Sequence, residues 1–136
     1  MHRDHYGKKS TRELAVRSFR PDRVVIPLGM HLGAPSEPGV KEGDRVKIGQ
    51  VIANPVGGLG LPVHASVSGV VTAVGPHICS AAQPMACVSI ENDHKDEWTE
   101  LRPLGDVETV DPSRIIPPIK EAGICGMGGP CFPHHV

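Results

Sequence analysis

The sequence predicts a small, mainly β fold, a flattened barrel assembled from two similar halves. Two stretches carry that expectation, residues 40–52 and 63–71, and each joins a tight glycine turn to alternating apolar residues. Composition points the same way. With Gly 16 and Pro 14 in 136 residues, many turns and short strands are favoured over long helices. Aromatic residues make up only 3%, so any core has to be built from Val, Ile, Leu and Ala. The length fits one domain, or one small domain with extensions.

Taken in order, residues 1–20 are polar and read as an N-terminal arm, with a single weak helical turn over residues 11–17. Residues 21–100 form the predicted β domain. Its first strand runs from Arg23 to Leu28, and Pro27, lacking an N–H, places that strand at a sheet edge or ends it. Residues 29–39 are a loop. Val40 and Lys41 enter a short strand that Glu42, Gly43 and Asp44 turn back, Gly43 being the residue able to take positive φ at no steric cost. Val46 and Ile48 lie two apart and should face the core, leaving Arg45 and Lys47 to water. Gly49 and Gln50 make a second turn into a strand at 51–53.

The second half repeats the plan. A glycine-rich tip over 54–60 leads to a strand at 61–65, a turn at 66–69 and a strand at 70–74. Each half is expected to cover the other's open edge. Residues 75–84 read as a looser excursion. A last strand at 85–90 should put Ala86, Val88 and Ile90 on one face and Met85, Cys87 and Ser89 on the other. Trp98, the sole tryptophan, is expected to pack as a lid on an open end of the core.

Residues 101–136 read as a linker followed by the start of a further unit. Asp111 before Pro112 has the form of an N-cap with proline at the first helical position. Pro117 and Pro118 limit the helix to one turn or a restart ending at Ala122, and Gly123 should terminate it. The tail from Cys125 to Val136 is rich in glycine, cysteine and histidine.

Several functions are disfavoured on bulk properties. A formal net charge of -1, no basic cluster and almost no aromatic residues argue against nucleic-acid binding. No apolar run approaches the roughly 18–20 residues of a membrane span. The N-terminus lacks the apolar stretch of a signal peptide, so a cytoplasmic location is expected, where a disulfide framework from Cys79, Cys87, Cys125 and Cys131 is not.

The two β halves resemble the barrel-sandwich hybrid fold of biotinyl and lipoyl carrier domains. Such carriers need a lysine on the hairpin between the halves, and the interval from Asn54 to Pro62 has none. A fuller resemblance is to the RnfC family, the NADH-side subunit of ion-translocating ferredoxin:NAD oxidoreductase complexes. It rests on Ile26-Pro27-Leu28-Gly29-Met30-His31-Leu32-Gly33-Ala34-Pro35, the two β halves, Ile90-Glu91-Asn92-Asp93, and Glu121-Ala122-Gly123-Ile124-Cys125-Gly126-Met127-Gly128-Gly129, in that order. RnfC-like subunits of proline reductase systems are similar too.

The resemblance implies an N-terminal portion of an electron-transfer subunit whose parent passes electrons between NADH and iron–sulfur carriers through FMN. This portion would serve as a structural and docking module beside other subunits of an electron-transport complex, peripheral at the inner face of the cell membrane and not catalytic alone. It further implies that Gly126, Gly128, Gly129 and Phe132 belong to a partial loop for FMN or NADH. Successive glycines let backbone N–H groups close on a phosphate. Where the family usually has Ala-Gly, this chain has Pro130-Cys131, which removes one donor.

The parent's two [4Fe–4S] clusters would need runs such as C-x₂-C-x₂-C-x₃-C. The cysteines here, spaced by eight, thirty-eight and six positions, supply none, so the chain is read as either a fragment of a longer protein or a short paralogue. The fragment is favoured because the chain stops mid-motif after Phe132-Pro133-His134-His135-Val136, and no tightly bound cofactor of its own is expected.

Each motif also has a plainer reading. A glycine-rich loop is usually only a turn. Cys125, Cys131, His134 and His135 do not follow a familiar zinc spacing, and adjacent histidines on an extended chain point apart, so no metal site is assigned. His31 and His64 are expected to be hydrogen-bonded structural residues, and no catalytic residue is assigned. The rival reading of the whole chain is a stand-alone barrel-sandwich module that binds protein partners without redox chemistry.

Overall fold

The structure is a computed structural model that describes residues 14–79, 83–106 and 108–136. The predicted arm at residues 1–20 lies largely outside the described residues. Seven strands follow: β1 (Arg23–Pro27), β2 (Glu37–Pro38), β3 (Arg45–Val46), β4 (Val51–Asn54), β5 (Val63–His64), β6 (Gly69–Ile78) and β7 (Pro84–Asn92). They make a four-stranded sheet in the order β1-β7-β6-β3 and a three-stranded sheet in the order β2-β4-β5, with every pairing antiparallel. Pro27 ends β1, and β1 is an edge strand, as its missing N–H requires.

The two halves are distributed across both sheets. The first half supplies β3 to one sheet and β4 to the other; the second supplies β6 and β5 to the same two. Between the sheets lies an aliphatic core in which Leu28, Ile52, Val71, Val88 and Ile90 are almost wholly buried. Each such side chain contributes roughly 1.5–3 kcal/mol on removal from water. Val46 is buried, Ile48 half-buried, and Arg45 and Lys47 are exposed, matching the period-2 expectation. Gly43 and Gly49 take φ of +90° and +79° in the two expected turns.

Four expectations need correction. Val40 and Lys41 form no strand; the ladder begins at Arg45, because Gly43 N–H donates directly to Val71 C=O at 2.8 Å and the turn itself meets the opposite half. Glu37 and Pro38, expected in a loop, pair with Asn54 and Ala53 and cover the outer edge of β4. The predicted excursion at 75–84 is mostly a continuation of the β6–β7 hairpin, paired from Gly75↔Cys87 to Ile78↔Pro84, with residues 80–82 outside the described set. There the hairpin has run past the core, so Ala86 is exposed, while Cys87 on the other face is buried.

Trp98 is the fourth correction. Its side chain is 59% exposed and lies against Gly49 instead of capping the core. The backbone around it does the closing: Ile48 N–H donates to Glu97 C=O at 2.8 Å and Thr99 N–H to Ile48 C=O at 2.9 Å. A side chain at Gly49 would crowd this junction, since its Cβ would stand 3.2 Å from Thr99 Cγ2.

Asn92 ties the chain's lead-in to the barrel. Its Nδ2 donates to Pro21 C=O at 2.9 Å, its backbone N–H to Asp22 C=O at 2.8 Å, and its Oδ1 accepts from His94 N–H at 2.9 Å. Next to it, Asp93 accepts from Ser68 Oγ at 2.7 Å and pairs with Arg45 at 2.8 Å. The hydrogen bonds from Ser68 and Lys95 hold its carboxyl below the ordinary range.

Gly69 is the most constrained glycine of the barrel. A Cβ there would stand 1.8 Å from the Glu91 carbonyl oxygen, inside the β6–β7 ladder. Gly69→Ala is therefore expected to cost about 3 kcal/mol or more, whereas Gly43→Ala, with open space around its Cβ, should cost only about 1 kcal/mol for its positive φ. Urea unfolding of the two variants checks the ranking, and equal losses would contradict it.

Candidate functional site

The C-terminal segment begins with a 3₁₀ turn at Pro112–Arg114, capped by Asp111, whose carboxylate accepts from Ser113 N–H at 2.9 Å. The helix α1 (Ile116–Glu121) follows, with its prolines in the first turn, where no intrahelical N–H is lost. It ends as expected at Gly123, φ +67°, with Gly123 N–H donating to Lys120 C=O at 3.0 Å and Ile124 N–H to Ile119 C=O at 3.2 Å. This is the Schellman arrangement of a glycine-terminated helix. The Gly123 position meets the barrel closely, since a Cβ there would stand 2.6 Å from Pro62 C=O.

Beyond it the chain makes a closed loop. Cys125 pairs with Pro133 in an antiparallel bridge, Gly126 N–H donates to Phe132 C=O at 2.8 Å, and His134 N–H donates to Ile124 C=O at 3.1 Å. Gly126 thus sits at the loop's neck, while Gly128 and Gly129 lie at its exposed end with nothing within 4 Å of a built Cβ. Among the described residues, no backbone carbonyl accepts from the N–H groups of Met127, Gly128 or Gly129. Such open N–H groups are what an anion would use. Phe132 borders the loop, 44% exposed. The structure therefore brings Gly126, Gly128, Gly129 and Phe132 into one loop.

Contacts that the sequence did not announce hold this loop against the barrel. Pro133 is fully buried, Leu32 N–H donates to Cys131 C=O at 3.1 Å, and His135 Nε2 lies 3.2 Å from Gly58 C=O. Beneath it, His31 organises the loop between β1 and β2. Its Nε2 accepts from Leu61 N–H at 3.1 Å, and Ser36 Oγ donates to Leu61 C=O at 2.7 Å. Because Nε2 is an acceptor, the neutral ring carries its proton on Nδ1, a buried atom with no partner among the described residues. His31 is thus hydrogen-bonded as expected, and it joins the loop after β1 to the tip between the halves. The run Gly29-Met30-His31-Leu32-Gly33 was the only sequence signal for this contact.

His64, on β5, lies under the end of α1; a Cβ at Gly123 would be 3.5 Å from its ring. Burial lowers its pKa from the usual 6.5, and a hydrogen bond with the Glu121 backbone opposes this more weakly. An apolar-lined open cleft of about 470 Å³ runs beside α1, between Gly49, Leu101, Leu104 and Ile119, and includes none of the four loop residues. Among the described residues no group of three or more His, Cys, Asp or Glu converges as a metal site, and no helix is long and apolar enough to cross a membrane.

Comparison with known proteins agrees with this architecture. The family model described as the RnfC barrel sandwich hybrid domain matches residues 2–95. The chain is 41% identical over 133 residues to the C subunit of the Na(+)-translocating ferredoxin:NAD(+) oxidoreductase complex of Acetobacterium woodii, covering 96% of this chain and 30% of that protein. It is 43% identical over 116 residues to the C subunit of the ion-translocating oxidoreductase complex of Serratia proteamaculans, covering 83% and 16%. Against the C subunit of the proton-translocating ferredoxin:NAD(+) oxidoreductase complex of Clostridium ljungdahlii, it is 40% identical over 117 residues, covering 85% and 26%. The chain thus spans less than a third of the length of these relatives.

The lowered pKa of His64 gives a testable pH dependence. The folded state resists protonation of this ring, so the unfolded chain binds more protons as pH falls below about 6.5. Stability associated with neutral His64 is therefore complete above that pH and is lost progressively below it, toward the depressed folded value. His64→Gln should flatten the stability profile between about pH 7 and pH 5. Urea midpoints across that range check it; an unchanged slope would overturn the assignment.

Proposed function

The chain belongs to the RnfC family, and from that premise we propose that it works as the N-terminal portion of an electron-transfer subunit whose parent passes electrons between NADH and iron–sulfur carriers through FMN. Residues 21–100 form the barrel domain. Residues 101–136 are a linker and the beginning of the FMN- and NADH-binding unit. The barrel is the structural and docking part, seated among other subunits of an ion-translocating complex at the inner face of the membrane. The observation that carries this reading is the collinear match to relatives from ion-translocating oxidoreductase complexes over most of the chain, joined to a barrel that holds an open glycine loop at its surface.

The loop residues fit a phosphate of FMN or of the nicotinamide nucleotide. Exposed N–H groups at Met127, Gly128 and Gly129 could donate, and no side chain at Gly128 or Gly129 obstructs approach. Phe132 offers an aromatic face beside them. FMN, when bound, supplies the means to accept a hydride and release electrons one at a time. The described cysteines do not fit an iron–sulfur cluster, because no three of them converge; clusters on this reading belong to other parts of the parent.

A chimaera provides the test, with this chain replacing the matching N-terminal region of the Acetobacterium woodii relative. It should assemble with the other subunits, retain FMN and support ferredoxin-dependent NAD+ reduction. Gly128→Val in that chimaera should lower FMN retention on the order of ten-fold, the loss of about one charge-assisted hydrogen bond. A folded chimaera that fails to assemble with any other subunit would overturn the docking role. Full FMN retention with Gly128→Val would remove the loop from the site.

A further inference from the structure

Two cysteines lie together in a part of the molecule that the proposed function does not use. Cys79 follows the last residue of β6, and its Sγ stands 3.4 Å from Sγ of Cys87 on β7; both are free thiols. Gly75 is the register partner of Cys87, so the position facing Cys87 carries no side chain, and nothing lies within 4 Å of a Cβ built there. Residues 75 and 77 share the face of Cys87, and Cys79 follows just past the last ladder pair, Ile78↔Pro84. Cys87 Sγ is turned toward the open end of the hairpin, where it donates to Met85 C=O at 3.3 Å and meets Cys79.

We propose that Cys79 and Cys87 are a reversible thiol–disulfide couple that responds to peroxide. The two thiols are unlike. Cys87 is 2% exposed, and burial, with its neighbour Cys79, pushes its thiol up to about 11. Cys79 is half-buried and open to a small oxidant. Cys79 therefore reacts first: its sulfur attacks one peroxide oxygen and keeps it as a sulfenic acid, the O–O bond breaks, and the other oxygen takes the thiol proton and leaves as water or an alcohol. Cys87 sulfur then attacks the Cys79 sulfur. The S–S bond forms, the S–O bond breaks, and water leaves with the Cys87 proton. Two thiols lose two electrons and one peroxide gains them. The sulfurs need to close from 3.4 Å to about 2.05 Å. An external dithiol reverses the reaction by exchange.

The bond would staple the end of the β6–β7 hairpin to its own ladder. Its formation can be read directly, because both cysteines fall in the tryptic peptide 48–95, whereas Cys125 and Cys131 fall in 121–136. The chain is treated with hydrogen peroxide, quenched with a thiol alkylator, digested and weighed. The expected product is peptide 48–95 lighter by two hydrogens and carrying no alkyl group, restored to two alkylated thiols by prior dithiothreitol. Cys87→Ser should leave Cys79 as a sulfenic acid that dimedone traps. Cys79→Ser should leave Cys87 fully alkylatable after unfolding. A cross-link between peptides 48–95 and 121–136 in place of the internal bond would overturn the proposal. So would dimedone trapping of Cys79 in the unsubstituted chain with no internal bond, or peroxide oxidation of Cys87 at an undiminished rate in folded Cys79→Ser.

Discussion

Four backbone hydrogen bonds join the glycine turns of the first half to the strands of the second, and the barrel depends on them. Gly43 N–H donates to Val71 C=O at 2.8 Å, and Val71 N–H returns a bond to Asp44 C=O at 2.9 Å. Gly49 N–H donates to Ala65 C=O and Ala65 N–H to Gln50 C=O, both at 2.9 Å. Strands β3 and β5 are two residues each, too short to hold a sheet by themselves. The turns act as extensions of the ladder. Each turn can present its N–H to the other half because its glycine takes positive φ. Neither half has a closed set of backbone partners without the other, which is how a chain with so few long strands avoids open edges.

The same economy governs the C-terminal loop. Its position is set by the barrel and not by α1 alone, for the short helix contributes mainly its glycine terminus, pressed against Pro62. From there Pro133 is buried, Leu32 holds Cys131 and Gly58 faces His135, so the neck of the loop is fixed on two sides while Met127 to Gly129 stay free. A loop whose ends are anchored and whose backbone donors are open has lost much of its conformational freedom before any ligand arrives.

The parts of this molecule that were legible in the sequence are those set by local rules. Gly43 and Gly49 announced their turns, Pro27 its edge, Asp111 its cap and Gly123 its helix end, because each of these depends on φ or on a missing N–H. What local rules missed depends on partners far along the chain. Val40 and Lys41 carry an apolar-polar start that resembles a strand, yet the turn beside them is claimed by Val71. Ala86 obeys alternation on a hairpin that has already left the core, so alternation no longer separates inside from outside. Trp98 is large and solitary, and still its backbone matters more than its ring. For the candidate site, the sequence named the four loop residues but not Leu32, Gly58 or Pro133, since nothing in a sequence marks the N–H, carbonyl or ring that will meet a partner far away in the chain.

The tip between the halves explains why a carrier-like barrel can serve a different end. A carrier needs that interval to project and to present a lysine. Here residues 54–60 contain none, and the tip is pinned. Gly60 N–H closes it on Gly57 C=O at 3.3 Å, Leu59 packs where a Cβ at Gly33 would come within 3.1 Å, and Gly58 C=O faces His135. His31 fixes its far end through Leu61. The surface that would swing a prosthetic group is thus occupied in holding the loop after β1 and the C-terminal tail together. The absent lysine and the anchored tip are two sides of one arrangement: where a carrier would present a lysine, this hairpin makes contacts to the loop after β1 and to the tail that follows the glycine loop.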